Sequence, residues 1–355
     1  MTNFHSFRPG ELWPDDHGVH INAHGGCLLR HGGKIYWYGE HKVEGRRGNL
    51  ARVGVHVYVS DDYYNWRDAG IAFDVKNSGS AAVRPGCVIE RPKVLFCPRT
   101  GKFVMYFHFE RDSSYQDASI GIATADAPEG PFQLREITKI NPGFWPENTP
   151  PELRDPARIA ASAAKLNRIS CGENPEAARG SILGACVPTG QDSRDMTLFV
   201  DDDGRAYLIY SSERNSTTHV AELTDDYLGR TGRFWRIFPF RWMEAPSLFK
   251  HNGKYYFIGS GCTGWAPNAA RSAVADSLQG PWTELGNPAV DDGGELTYGA
   301  QSTWIEPLGG GRFLFMADIW RPDNAIDGRY LWLPVEFEGE RPVLRAPREW
   351  SLESL

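Results

Sequence analysis

The chain has 355 residues, 41% of them hydrophobic and 23% charged, which excludes intrinsic disorder and collagen-like structure. With 38 Lys and Arg against 45 Asp and Glu the net charge is −7, and no basic block interrupts it, so neither a nucleic acid nor an anionic membrane is an expected partner. The 12 Trp, 14 Tyr and 18 Phe, with 38 Gly and 24 Pro, favour strands joined by tight turns.

The opening MTNFHSFRPGELWPDD has neither a basic region nor an apolar core, so it does not read as a signal peptide; location is left open between a cytoplasmic chain and one whose leader has been trimmed. No run of 18 apolar residues marks a membrane span. WPDDHGVHINAH then spaces His17, His20 and His24 as metal ligands can be spaced, but without a carboxylate-bearing HExxH helix. No metal ligand is assigned and no cofactor is expected to be required, although a structural calcium or sodium ion in a central channel fits the pattern.

From residue 24 onward one phrase recurs five times. An apolar run meets a polar turn closing on Gly plus Lys or Arg, and a second aromatic or aliphatic run follows. That is a β-hairpin. The first hairpin is CLLRHGGKIYWYGE, turning at Gly33, with VGVHVYVSDDYYNW as its outer strand. The second is VLFCPRTGKFVMYFHFE, turning at Gly101, followed by IGIATADAPEGPF. Composition then shifts over residues 141–191, where PELRDPARIAASAAKLNRI is Ala-rich and predicts a helix of roughly three to four turns starting near Pro156 or Ala157. It is either an embellishment on one face or a wall of a substrate pocket. The third hairpin, LFVDDDGRAYLIYSSE, turns at Gly204 and precedes THVAELTDDYL; its acidic turn is half a calcium loop, better explained as a hairpin turn. The fourth, LFKHNGKYYFIGSG, turns at Gly253 and precedes ARSAVADSLQGPW. The fifth, IEPLGGGRFLFMADI, turns at Gly311 and precedes YLWLPVEF. Spacings of 49 to 103 residues predict an all-β fold: a five-bladed β-propeller of four-stranded antiparallel sheets, one domain over 1–355, with a partly helical insertion between blades two and three.

Nine to eleven residues before each repeated glycine stands a hydrogen-bonding side chain: His24, Glu90, Asp195, Glu244 and Gln301. Propeller geometry aims the starts of the inner strands at one mouth, so these five are expected to converge. Three carboxylates sharing a mouth cannot ionise independently, and at least one should have a raised pKa, as a general acid needs. Carboxylates among aromatics suggest sugar chemistry, since pyranose C–H faces stack on rings. Tyr115, in a polar loop, and Trp265, in the Gly-rich loop SGCTGWAPN, are the aromatic candidates, with His24 as a polar substrate contact. Gly259–Gly264 matches GxGxxG but lacks the βαβ setting of a dinucleotide site. Asn215-Ser-Thr is a glycosylation sequon, relevant only to a chain secreted by a eukaryote. The six cysteines form no CxxC pair and read mostly as buried thiols, with room for one disulfide.

INAHGG with IYWYGE, GVHVYVSDDYYNW, ERPKV, SRDMTLFVDDDGRAY, HVAELTDDYL, MEAPSLFKHNGKYY, SGCTGWAPNAARSAVADS, AQSTWI and RYLWLPVEF together resemble glycoside hydrolase family 43, in the branch that includes exo-β-1,3-galactanases. The resemblance implies an exo-acting, inverting hydrolase of an oligo- or polysaccharide. By it Glu244 is the general acid, Asp195 tunes that acid and holds the substrate, and Glu40 accepts a sugar hydroxyl. Most of the family starts its first inner strand with a catalytic-base Asp, whereas this chain reads Ile21-Asn22-Ala23-His24-Gly25. The galactanase branch shares that absence, and there the resemblance gives the water to Gln301, to Glu90, or to both. Neighbouring branches contain α-L-arabinofuranosidases and β-xylosidases, and the missing Asp also allows a non-catalytic carbohydrate-binding propeller. No carbohydrate-binding module is expected after the fifth blade.

Overall fold

A computed structural model describes residues 3–163 and 182–355. All five repeated glycines sit in hairpin turns with left-handed φ, +78° at Gly33, +67° at Gly101, +82° at Gly204, +78° at Gly253 and +76° at Gly311. An L side chain is disfavoured there, which is why the turn spells itself with the same residue each time.

Blade one is β1 (His24–His31), β2 (Lys34–Glu40), β3 (Gly54–Ser60) and β4 (Arg67–Asp74). Blade two is β5 (Val88–Cys97), β6 (Lys102–Glu110), β7 (Ser119–Ala125) and β8 (Gln133–Thr138). Blade three is β9 (Met196–Val200), β10 (Ala206–Ser212), β11 (Thr217–Leu223) and β12 (Arg230–Ile237). Blade four is β13 (Glu244–His251), β14 (Lys254–Ser260), β15 (Arg271–Ala275) and β16 (Thr283–Gly286). Blade five is β17 (Gln301–Gly309), β18 (Arg312–Ile319) and β19 (Arg329–Pro334). Strands are hydrogen-bonded in chain order within each sheet, all antiparallel. The fifth sheet has three strands, with Gly10 N of the N-terminal segment donating to the Tyr330 carbonyl of β19 at 2.8 Å, and the chain after Val335 forms a separate hairpin of β20 (Glu336–Glu338) and β21 (Arg341–Val343).

Each inner strand packs beside the next, β1 by β5, β5 by β9, β9 by β13, β13 by β17, and β17 returns to β1. The ring is thereby closed, and the ends of the chain clasp beside it, Phe7 and Trp350 exchanging backbone hydrogen bonds of 2.8 and 3.1 Å. The core lies between blades. Tyr38, Val57, Phe73 and Phe107 join the first two, and Trp37, Trp332 and Trp350 join the fifth to the first. Each side chain of this size contributes roughly 1.5–3 kcal/mol by leaving water.

The insertion is pinched at its base, where Ile140 and Gln191 exchange backbone hydrogen bonds of 2.7 and 3.2 Å. Within it α1 (Pro156–Ala163) starts where the sequence places it, and α2 (Ile182–Cys186) lies near the far end. The rest of the expected helix and Cys171 fall outside the described residues. Cys27, Cys87, Cys97 and Cys186 are buried free thiols, whereas Cys262 is disulfide-bonded.

Candidate active site

Four of the five inner strands do not begin as regular ladders. Register slips between His24 and Cys27 in β1, Glu90 and Lys93 in β5, Glu244 and Ser247 in β13, and Ser302 and Trp304 in β17. In three of them a left-handed residue follows the polar one: Gly25 (φ +60°), Arg91 (+53°) and Ala245 (+52°). A bulge with such a residue re-aims the side chain before it, and here it does so at one end of the ring. Only glycine fits at 25, since a Cβ there would meet Glu40 Oε1 at 2.2 Å.

The result is a pocket of about 200 Å³ lined by Glu40, Glu90, Asp195, Glu244 and Gln301, with Tyr115, Trp265 and Trp320 among its walls. Arg91 ties it together. One guanidinium nitrogen donates to Asp195 Oδ2 (2.8 Å) and to Gln301 Oε1 (2.6 Å), the other to the Ser302 carbonyl (3.0 Å), and the backbone N–H donates to Glu40 Oε1 (3.0 Å). Asp195 Oδ2 also accepts from Ala245 N at 3.0 Å, so residues from blades two, three, four and five meet within direct hydrogen bonds.

The carboxylates are driven apart electrostatically. Burial, helped by the charge of Asp195, pushes Glu244 up to about 8 against the pull of Arg91 and Arg194. Asn215 Nδ2 donates to its Oε1 at 2.8 Å, and Cys262 Sγ lies 3.2 Å from the same oxygen. Burial alone would raise Glu90 too, but His108 (3.1 Å), Lys42 and the Tyr115 hydroxyl (2.5 Å) hold it down at about 2. Burial lifts Glu40 above its ordinary value although Lys42 is bonded to it. One carboxyl is thus a proton donor near neutrality while another is a fixed anion, the division of labour that glycoside cleavage uses. Gln301 is oriented rather than free: Oε1 accepts from Arg91 and from Trp320 Nε1 (2.9 Å), and Nε2 donates to Ser260 Oγ (3.0 Å). Trp265 is 43% exposed and stands edge-on to Trp320, ring centroids 5.7 Å apart, as a platform at the mouth.

His24 is the exception among the five equivalent positions. It is fully buried outside the pocket lining, with Nδ1 3.3 Å from Asp318 Oδ1 and its ring stacked on Tyr330 at 5.0 Å. Gly328 closes over it so tightly that a Cβ would approach its ring to 2.4 Å, so it is no substrate contact. Nor do the three histidines form a site, because His20 contacts the backbone of Trp13 and Gly328 while His17 is exposed. Among the described residues, the group that could hold a metal ion is Asp15, Asp16 and His17, which line a different surface groove. Lys93 is fully buried and donates to the Gly25 carbonyl at 2.8 Å, and burial lowers its ammonium group to about 8. The sequon asparagine, Asn215, is buried inside the site rather than displayed. Sequence reasoning overlooked Arg91, Lys42, His108, Arg194 and Asn215. For Arg91 the signal was its place beside Glu90 in ERPKV, and for His108 a polar residue within an otherwise apolar strand.

The family profile described as glycosyl hydrolases family 43 matches residues 181–310. Over its whole length the chain is similar to a β-1,3-galactosidase of that family solved with galactodeoxynojirimycin, at 43% identity and a TM-score of 0.89, covering 98% of this chain and 100% of the other. An exo-β-1,3-galactanase from Phanerochaete chrysosporium, solved with galactose, is 30% identical with a TM-score of 0.77 over 98% of this chain and 68% of that one. One from Clostridium thermocellum is 30% identical with a TM-score of 0.78 over 97% and 66%. Among curated proteins, a β-D-galactofuranosidase from Aspergillus niger is 31% identical over 128 residues, 33% of this chain and 37% of its own length.

Proposed function

This chain belongs to glycosyl hydrolase family 43, and we propose that it is an exo-acting, inverting hydrolase releasing galactose from β-1,3-galactan. The observation that carries this reading is the end-to-end similarity to a β-1,3-galactosidase solved with a galactose-like iminosugar, in a chain whose own pocket holds one protonated and one ionised carboxyl.

In the reaction Glu244, a neutral acid below about pH 8, gives its proton to the glycosidic oxygen as the C1–O bond breaks. Asp195 keeps that proton on by its charge and is held in place by Arg91. A water lying between Glu90 and Gln301 attacks the anomeric carbon from the opposite face. In an oxocarbenium-like transition state the water sheds its proton late, when it is already acidic, so a weak base such as Glu90 suffices. The second N–H of Gln301 and the carboxylate of Glu40 are placed to meet sugar hydroxyls, and Tyr115, Trp265 and Trp320 form the apolar walls. A pocket, as opposed to an open groove, takes a chain end, which supports exo action.

Product analysis after incubation with β-1,3-galactan, beside aryl galactosides, xylosides and α-L-arabinofuranosides, tests the reading. Galactose as the main product from galactan is expected; preferential cleavage of arabinofuranosides or xylosides would reject it.

A further inference from the structure

Behind the wall that carries Glu90 lies a buried pair that the proposed reaction does not itself use. His108 and Glu110 alternate on β6 and so project from one face of that strand. His108 Nδ1 lies 3.1 Å from Glu90 Oε2 and Nε2 lies 2.9 Å from Glu110 Oε1, with His108 and Glu110 both fully buried. An imidazole between two carboxylates can satisfy both only by donating from both nitrogens, which makes it the imidazolium. A neutral ring would turn a lone pair towards an anion. Glu110 spends its remaining capacity on the loop after β6, accepting from Ala118 N at 3.0 Å and Asp117 N at 2.6 Å. That loop carries Tyr115, whose hydroxyl grips the other oxygen of Glu90. Both oxygens of Glu90 are therefore held by groups that Glu110 ties down.

A second buried histidine supplies the contrast. His219 lies 2.8 Å from Glu213, but that carboxylate is already paired with Arg236 at 2.7 and 3.0 Å, and the other ring nitrogen faces the Tyr210 hydroxyl at 3.3 Å. Burial keeps His219 below its ordinary value, whereas in His108 the same burial is overcome by two carboxylates and the ring is pushed up to about 9.

We propose that Glu110 and His108 form a positioning relay that keeps Glu90 ionised and aimed into the pocket. Groups facing Glu90 are His108 of β6, Lys42 after β2, Tyr115 of the loop, Glu40 of β2 and Glu244 of β13. Those facing His108 are Glu90 and Glu110, with Arg111 beyond Glu110 at the surface. Glu90 then acts as a permanent hydrogen-bond acceptor that does not titrate in the working range. The inference rests on the glycosidase reading only for what Glu90 orients; the charge state of His108 stands apart from it.

Nitrogen-15 NMR of the full chain with labelled histidine tests the relay. One histidine should stay doubly protonated through pH 8, vanish in His108→Asn, and titrate at least ~1 unit lower in Glu90→Gln. If every histidine is neutral at pH 8 the relay is wrong, whatever sugar the protein cleaves, whereas absence of galactose release by the wild type would reject only the functional reading. In pH profiles of kcat/KM, the acid limb of His108→Asn should lie at least ~1 unit above that of the wild type, as buried Glu90 protonates. A uniform fall with an unmoved acid limb makes His108 merely structural and overturns the proposal. Should His108→Asn not fold, Glu110→Gln should raise the acid limb in the same direction, and an unmoved limb there is equally adverse.

Discussion

Replacing Glu244 with Gln separates catalysis from stability in one variant. Gln keeps the shape of the side chain and can accept from Asn215, but it has no proton to give. On β-1,3-galactan, whose leaving group needs protonation, kcat/KM should fall by at least ~10²-fold, about 2.7 kcal/mol of lost transition-state stabilisation. On an aryl galactoside with a good leaving group the loss should be much smaller. Stability should move the other way. The folded chain holds this carboxyl at about 8, against 4.5 for an unperturbed group, so from pH 4.5 upward the unfolded chain releases a proton that the folded chain retains. Stability is therefore full below about pH 4.5 and declines as pH rises towards 8, with a ceiling of roughly 3 kcal/mol at pH 7. Gln is neutral in both states and escapes this loss. Urea titrations of both proteins at pH 4 and pH 7 should show equal stability at the lower pH and a more stable variant at the higher. A variant no more stable at pH 7, or one retaining near-normal galactan turnover, would refute the assignment of a buried, protonated acid.

Two further substitutions probe its surroundings. Asp195→Asn removes the charge that helps keep the proton on Glu244, so the basic limb of the kcat/KM profile should move from near pH 8 to lower pH by about one unit; a shift upward or none would contradict the coupling. Trp265→Ala removes an exposed platform worth about 1 kcal/mol of stacking, so KM for galactan should rise about fivefold. Its kcat on a small aryl galactoside and its melting temperature should stay put, and a collapse of either would make Trp265 structural.

The propeller was legible because its signals are local. A hairpin turn that needs left-handed backbone writes a glycine at 33, 101, 204, 253 and 311, and the strands beside it alternate or run apolar as buried strands must. The site was legible as far as strand starts reach: Glu90, Asp195, Glu244 and Gln301 meet because ring closure aims them together. His24 occupies the same repeat position but is sealed off, since Asp318, Tyr330 and Gly328 of the fifth blade, some 300 residues on, close over it. Arg91 and Asn215 were missed because each sits in left-handed backbone, where strand alternation no longer says which way a side chain points. Lys42 lies just past the end of β2, beyond the reach of that alternation. Blade five has three strands in its sheet, and nothing in the sequence signals that the N-terminal segment reaches it, Gly10 N donating to the Tyr330 carbonyl of β19 at 2.8 Å.

The central claim, a water attacking opposite a protonated Glu244 on a β-linked galactosyl unit, is tested most directly by the configuration of the first sugar released. Proton NMR of β-1,3-galactan digestion, recorded before mutarotation equilibrates the product, should show α-galactose appearing first. β-Galactose as the initial product would contradict the account.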